Sequence, residues 1–136
     1  MKRKLFISLL LIAAVLCSLT SCVDGKQARA DTEAFFALLS AGDYAAAGEY
    51  LHPASPYYNL PQYVSYLTQT EGLTLTNGIT VVRYYGISSA AYTTEYDGSA
   101  YKMEMVVRIG NIQADAEVVV VENDRGYGIY EFEFDR

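Results

Sequence analysis

The side chains with which this chain could do chemistry are few and unevenly placed. It has two cysteines, Cys17 and Cys22, a single histidine, His52, 16 carboxylates and 13 tyrosines. A thiol can be acylated, oxidised or hold a metal, an imidazole can carry a proton near neutral pH, and a carboxylate can act as acid or base where its pKa is displaced. Structural zinc needs four N or S ligands, which one histidine and two N-terminal cysteines do not supply. No carboxylate run has calcium-loop spacing. The glycines sit in turn contexts rather than in a phosphate loop, and no serine stands in a nucleophile elbow. Neither a metal, a cofactor nor a catalytic residue is therefore expected. His52 precedes Pro53 at the end of a short helical stretch, and a favourable place at a helix C-terminus accounts for it. The run "HPASPYYNLPQY" gathers His52, Tyr57, Tyr58 and Tyr63 on and beside a proline-rich loop. Aromatic residues on a loop can form a ligand or protein contact; they can equally staple the loop to the helices beside it.

Both cysteines lie near the N-terminus, and none follows Cys22. Lys2, Arg3 and Lys4 open the chain, and an uncharged, mostly apolar run from Leu5 to Leu19 follows. That run is short of the ~20 residues a helix needs to cross a bilayer. A basic start, a short apolar centre and small residues after it read as a secretory signal peptide. Leu19-Thr20-Ser21-Cys22 resembles the lipobox of bacterial lipoproteins: an aliphatic residue, two small ones, then Cys. The resemblance implies that the Cys22 thiol receives diacylglycerol and that the signal is cut just before it. Cys22 would then be the lipid attachment site and the protein would sit at the extracytoplasmic face of the cell membrane. Cys17 follows the bulky Leu16, does not fit the pattern and would leave with the signal. The organisation expected is a signal peptide over 1–21, a lipidated tether over 22–27 and one domain over 28–136.

Losing residues 1–21 removes three basic residues and no acidic one, which takes the net charge from −6 to −9. So acidic a domain is a poor partner for nucleic acid. It is also repelled by anionic headgroups, which leaves the acyl chains to hold it at the membrane.

The elements that must position these residues fall into two halves. From Gln27 to Thr70 the apolar residues have helical spacing. Ala28, Thr32, Phe35, Phe36 and Leu39 mark one face of a helix from about Gln27 to Ser40, with Gly42 as its stop and Asp43 as the cap of the next. That second helix, about Tyr44 to Leu51, has the stripe Tyr44, Ala47 and Leu51. A third, about Leu60 to Thr70, starts at the cap pair Asn59 and Gln62, buries Leu60, Val64 and Leu67, and ends at Gly72. From Leu73 onward the period is two. Met103, Met105, Val107 and Ile109 share one face, as do Ala114, Ala116, Val118 and Val120, and then Tyr130, Phe132 and Phe134. Lys102, Glu104, Val106, Arg108, Asp115, Glu117, Glu131, Glu133 and Asp135 take the wet face. Turn signals at Asp97-Gly98, Gly110-Asn111 and Asn123–Gly126 separate the strands. Asn77-Gly78 is either a hairpin turn or a bulge in one long first strand.

The fold class expected is α+β: three N-terminal helices packed on one face of a curved four- or five-stranded antiparallel meander. The run "FFALLSAGDYAAAGEYL", followed by a strand meander closing on "GYGIYEFEF", resembles the nuclear-transport-factor-two-like (cystatin-like, cone-shaped) superfamily. More narrowly it is similar to that group's small lipoprotein and transpeptidase-associated members. The resemblance implies a fold more than an activity. It leaves two readings open: a non-catalytic, lipid-anchored module that binds an envelope protein or small ligand, or a small acid/base enzyme of the isomerase/cyclase type that uses the cone.

Overall fold

The computed structural model describes residues 22–136. The signal-peptide reading, with Lys2–Lys4, the apolar run and Cys17, lies outside the described residues. Helix α1 spans Gly25–Ala41, α2 Tyr44–Gly48 and α3 Leu60–Thr70. A single 3-10 turn at Leu75–Asn77 leads into strands β1 (Ile79–Thr93), β2 (Gly98–Ile109), β3 (Ile112–Asn123) and β4 (Gly126–Asp135). The protein is therefore α+β, a few helices followed by an open four-stranded antiparallel sheet in the order β1-β2-β3-β4.

Local chemistry sets the helix limits. Asp24 caps α1 by accepting from the Lys26 amide at 3.0 Å, so the helix starts two residues before Gln27. Gly42, at φ +72°, ends it in the left-handed conformation that costs a glycine least. Asp43 then caps α2 through the Ala46 amide at 3.2 Å. The expected faces are those buried: Ala28, Thr32, Phe35, Phe36 and Leu39 on α1, and Leu60, Val64 and Leu67 on α3. Helix α2 is shorter than expected and ends at Gly48. Leu51 leaves it to form a parallel bridge with Ile129 of β4, where sheet hydrogen bonds replace another helical turn.

The core lies between the helices and one sheet face. Phe35 meets Phe132 edge-on with centroids 5.0 Å apart, and Phe36 meets Phe134 at 5.3 Å. Met103, Met105, Val107, Val118 and Val120 are fully buried around these rings. Burying a side chain of this size contributes about 1.5–3 kcal/mol, and the phenylalanine rings join α1 directly to β4.

Three expectations need correction. Asn77-Gly78 is neither a hairpin turn nor a bulge in a strand. Leu75 is buried, which draws the segment into a 3-10 turn, and Gly78 at φ +100° releases it into β1. Tyr130 does not share the face of Phe132 and Phe134. A register shift sets Glu131 opposite Val119 but Ile129 opposite Val120, so Tyr130 is the extra residue of a β-bulge. Its ring joins Ala100, Val119, Val121 and Tyr96 on the outer face. That outer face is therefore not wholly wet; it carries a small second apolar cluster at one end.

Candidate interaction site

Tyr57 and Tyr58 precede α3, and Tyr63 lies one turn into it. Asn59 fixes this entry: its side-chain oxygen accepts from the Gln62 amide at 3.3 Å and its amide donates to Gln62 Oε1 at 3.1 Å. These paired bonds satisfy exposed polar groups of the first turn. Phe132 of β4 lies beneath Tyr57 and Tyr63. Both stand against it with centroids at 4.9 Å, and meet each other at 5.1 Å in an edge contact. The Tyr63 hydroxyl also donates to the Phe132 carbonyl at 3.4 Å. Tyr66, three residues further along α3, stacks on Tyr63 at 6.2 Å and 24°.

A groove of about 350 Å³ runs between Pro56–Asn59 and Gln62, Tyr63 and Tyr66. Tyr57 and Tyr63 line it from rigid positions, whereas Tyr58 is 85% and Tyr66 54% exposed. On the other side of the same tyrosines, a second groove of about 380 Å³ carries Glu71, Glu133 and Asp135. Burial pushes the Tyr57 and Tyr63 hydroxyls up from their ordinary range, and the Glu133 carboxylate adds to the shift in each. Both therefore remain neutral phenols at physiological pH, with apolar faces and hydroxyls that can donate. Such a surface can pack against apolar groups, and its rings and flanking carboxylates favour a cation over an anion.

The structure gathers three of the four residues singled out on the loop and separates the fourth. His52 does not line the groove. It is 2% exposed, beyond the end of α2 rather than at a helix terminus. Its Nδ1 accepts from the Ala54 amide at 3.0 Å, and its Nε2 stands 2.9 Å from Asn123 Oδ1. With Nδ1 occupied as acceptor, the network assigns the proton to Nε2, which donates to Asn123. Asn123 Oδ1 also accepts from the Arg125 amide, and Asn123 Nδ2 donates to the Tyr96 carbonyl. The His52 ring packs 5.4 Å from that of Tyr130. His52 thus locks the loop after α2 to the β3–β4 turn. Its partner is 71 residues away, so no local pattern could have revealed the pairing. Tyr66 was missed, although its i+3 spacing from Tyr63 on a helix was a usable signal.

Cys22 is a free, partly exposed thiol. Val23, next to it, packs against the core, and its amide is 3.2 Å from Ser99 Oγ. Among the described residues no helix is long and apolar enough to cross a membrane, and no three His, Cys, Asp or Glu residues are grouped to hold a metal ion. The buried polar residues described are Thr32, His52, Ser55 and Ser99, with no carboxylate among them. On the outer sheet face Glu104, Glu117 and Glu133 stand directly across from one another on adjacent strands. Lys102 bridges the first two at 3.7 and 3.4 Å. Comparison with family models, with curated proteins and with solved structures finds no match for the chain.

Proposed function

We propose that this protein is a non-catalytic, lipid-anchored docking module, held at the extracytoplasmic face of the membrane through Cys22. It contacts an envelope membrane protein through the tyrosine groove. The finer architecture belongs to the same reading: three helices close one face of a curved sheet as in the cone-shaped superfamily, but the cone serves as a scaffold. The observation that carries the reading is how the interior is filled. Phe35, Phe36, Met103, Met105 and Phe132 occupy the space between helices and sheet at 0–1% exposure. An isomerase or cyclase of this shape would need an open apolar cavity there, with a carboxylate of displaced pKa inside it. What is presented outward instead is a rigid tyrosine floor with two exposed rings at its rim.

Position supports the partner class. Val23 packs against the core and α1 starts at Gly25, so a lipid on Cys22 would be joined to the folded domain with almost no tether. The roughly 18 Å that an extended 22–27 segment could span is mostly taken up by folded chain. A domain held so close to the bilayer meets membrane proteins at high effective concentration and gains nothing towards a freely diffusing substrate.

Cys22→Ser tests the anchor. The variant is expected to be exported yet lost from the membrane fraction, while Cys17→Ser is retained; equal retention of wild type and Cys22→Ser would overturn the assignment. Tyr58→Ala with Tyr66→Ala tests the groove. These exposed rings can be removed without disturbing the floor, and the yield of the partner crosslinked in native membranes should fall. Turnover of a small molecule, abolished by a single carboxylate substitution, would move the reading to the isomerase/cyclase alternative.

A further inference from the structure

Strand β1 is the open edge of the sheet: β2 pairs with one side, and no described element pairs with the other. The opposite edge, on β4, is closed. Ile129 exchanges backbone bonds with Tyr50 and His52, and the Tyr130 and Phe132 carbonyls accept from Ser55 and Tyr63. An open edge presents a row of backbone donors and acceptors to any other strand. Proteins usually blunt such edges with charges or proline. Over 15 residues β1 has no proline, no acidic residue and a single charge, Arg83. None of its residues is buried. It also carries Val82, Tyr85, Ile87 and Tyr92, four of the seven large apolar side chains exposed among the described residues.

Register shifts fall between Tyr84 and Gly86 and between Ala90 and Thr93. Between them Gly86–Ala90 pairs with β2 without interruption, which leaves a regular, uncharged edge of five residues centred on Ser88.

We propose that this edge is a homodimer interface, in which β1 of a second copy pairs antiparallel across a two-fold axis at Ser88 to make a continuous eight-stranded sheet. The choice of a second copy follows from self-complementarity. An axis at Ser88 sets Gly86 opposite Ala90 and Ile87 opposite Ser89, so small residues meet and the two exposed Ile87 side chains cover each other diagonally. Two copies that each carry a net negative charge would approach best along the one strand that lacks carboxylates. An axis normal to the sheet also keeps both helical layers, and both Cys22 residues, on one side of the joint sheet.

Ser88→Cys in the full-length protein, oxidised mildly in native membranes, tests this directly. Directly opposed residues of an antiparallel pair have Cα atoms about 4.5–5.5 Å apart, within the range a disulfide spans. The expected result is a band of twice the monomer mass on a non-reducing gel, absent from wild type and from Ser65→Cys on the exposed face of α3. Differently tagged copies should be joined in that band. Adding Ile87→Lys should lower its yield several-fold while circular dichroism stays unchanged. A Ser88→Cys band no stronger than that of Ser65→Cys would overturn the proposal. So would a crosslinked species that contains one copy of this chain and another protein. Loss of the tyrosine-groove partner in the Tyr58→Ala, Tyr66→Ala variant leaves the Ser88→Cys band in place, so the two readings fail separately.

Discussion

Phe132→Ala and Glu133→Ala, neighbours on β4, should differ in stability by about 4–5 kcal/mol. Phe132 is 1% exposed and touches Phe35, Tyr57, Tyr63 and Phe134 at centroid distances of 4.9–6.3 Å. Truncating a buried phenylalanine costs about 3–5 kcal/mol. The upper half of that range applies here, because four aromatic partners on different elements cannot all collapse into the space left behind. At about 4 °C per kcal/mol for a domain of this size, Tm should fall by about 16–20 °C. Glu133 points the other way, is exposed, and stands directly across from Glu117. Removing it relieves a like-charge pair, so its Tm should stay within about 2 °C of wild type and move upward if at all. Thermal melts of the purified variants followed by circular dichroism measure both. A larger drop for Glu133→Ala than for Phe132→Ala would invert the inner and outer faces of β4 and refute the packing described here. Because Phe132 supports the Tyr57 and Tyr63 rings that line the tyrosine groove, Phe132→Ala should also lose the groove contact.

A Cβ on Gly128 would stand 2.5 Å from the His52 amide nitrogen and 2.6 Å from the Leu51 carbonyl carbon, both held by the bridge to Ile129. Gly128→Ala should therefore cost about 1–3 kcal/mol, while Gly48→Ala, with nothing near its Cβ, should gain a few tenths up to about 1 kcal/mol; urea midpoints separate the two. Tyr57, Tyr63, Tyr84, Tyr96 and Tyr127 all ionise above the ordinary 10.0 in the folded protein, with burial the first cause in each. Since the unfolded chain ionises first, stability is fully present below pH 10 and is lost as pH rises beyond it. Tyrosinate absorbance should lag the free phenol and then rise together with loss of the circular dichroism signal. Smooth titration of all the tyrosines near pH 10 with the fold intact would contradict the packing of Tyr57 and Tyr63 against Phe132.

Much of the fold was legible because it rests on short-range rules. The α1 stripe from Ala28 to Leu39 follows from helical period, Gly42 and Asn59 from the unpaired backbone groups at helix ends, and the inner row Met103, Met105, Val107 and Ile109 from the two-residue period of a strand. The departures come from contacts distant in sequence. The bulge that turns Tyr130 outward depends on its cluster with Tyr96 and Val119, and alternation alone cannot place an inserted residue. The 3-10 turn at Leu75–Asn77 was hidden because Leu73 and Leu75, two residues apart, are both buried, which is also what a strand with one packed face shows. The loop tyrosines were legible as a group, but not their division of labour: Tyr57 and Tyr63 form the floor, Tyr58 and Tyr66 the exposed rim. His52 was misplaced for the same reason, since Asn123 and Tyr130 explain it and neither is near it in the chain.

The docking reading is tested most directly by a photoreactive residue placed at position 58, irradiated in native membranes. Tyr58 projects from the rim of the groove at 85% exposure, so its replacement leaves the floor intact. A crosslinker at Tyr127, an exposed tyrosine hydrogen-bonded to Asp31 of α1, reports on a different surface. The expected outcome is one discrete adduct with a membrane protein from position 58, weakened by Tyr66→Ala and absent from position 127. No adduct from position 58, or the same products in equal yield from both positions, would contradict the tyrosine groove as a docking site.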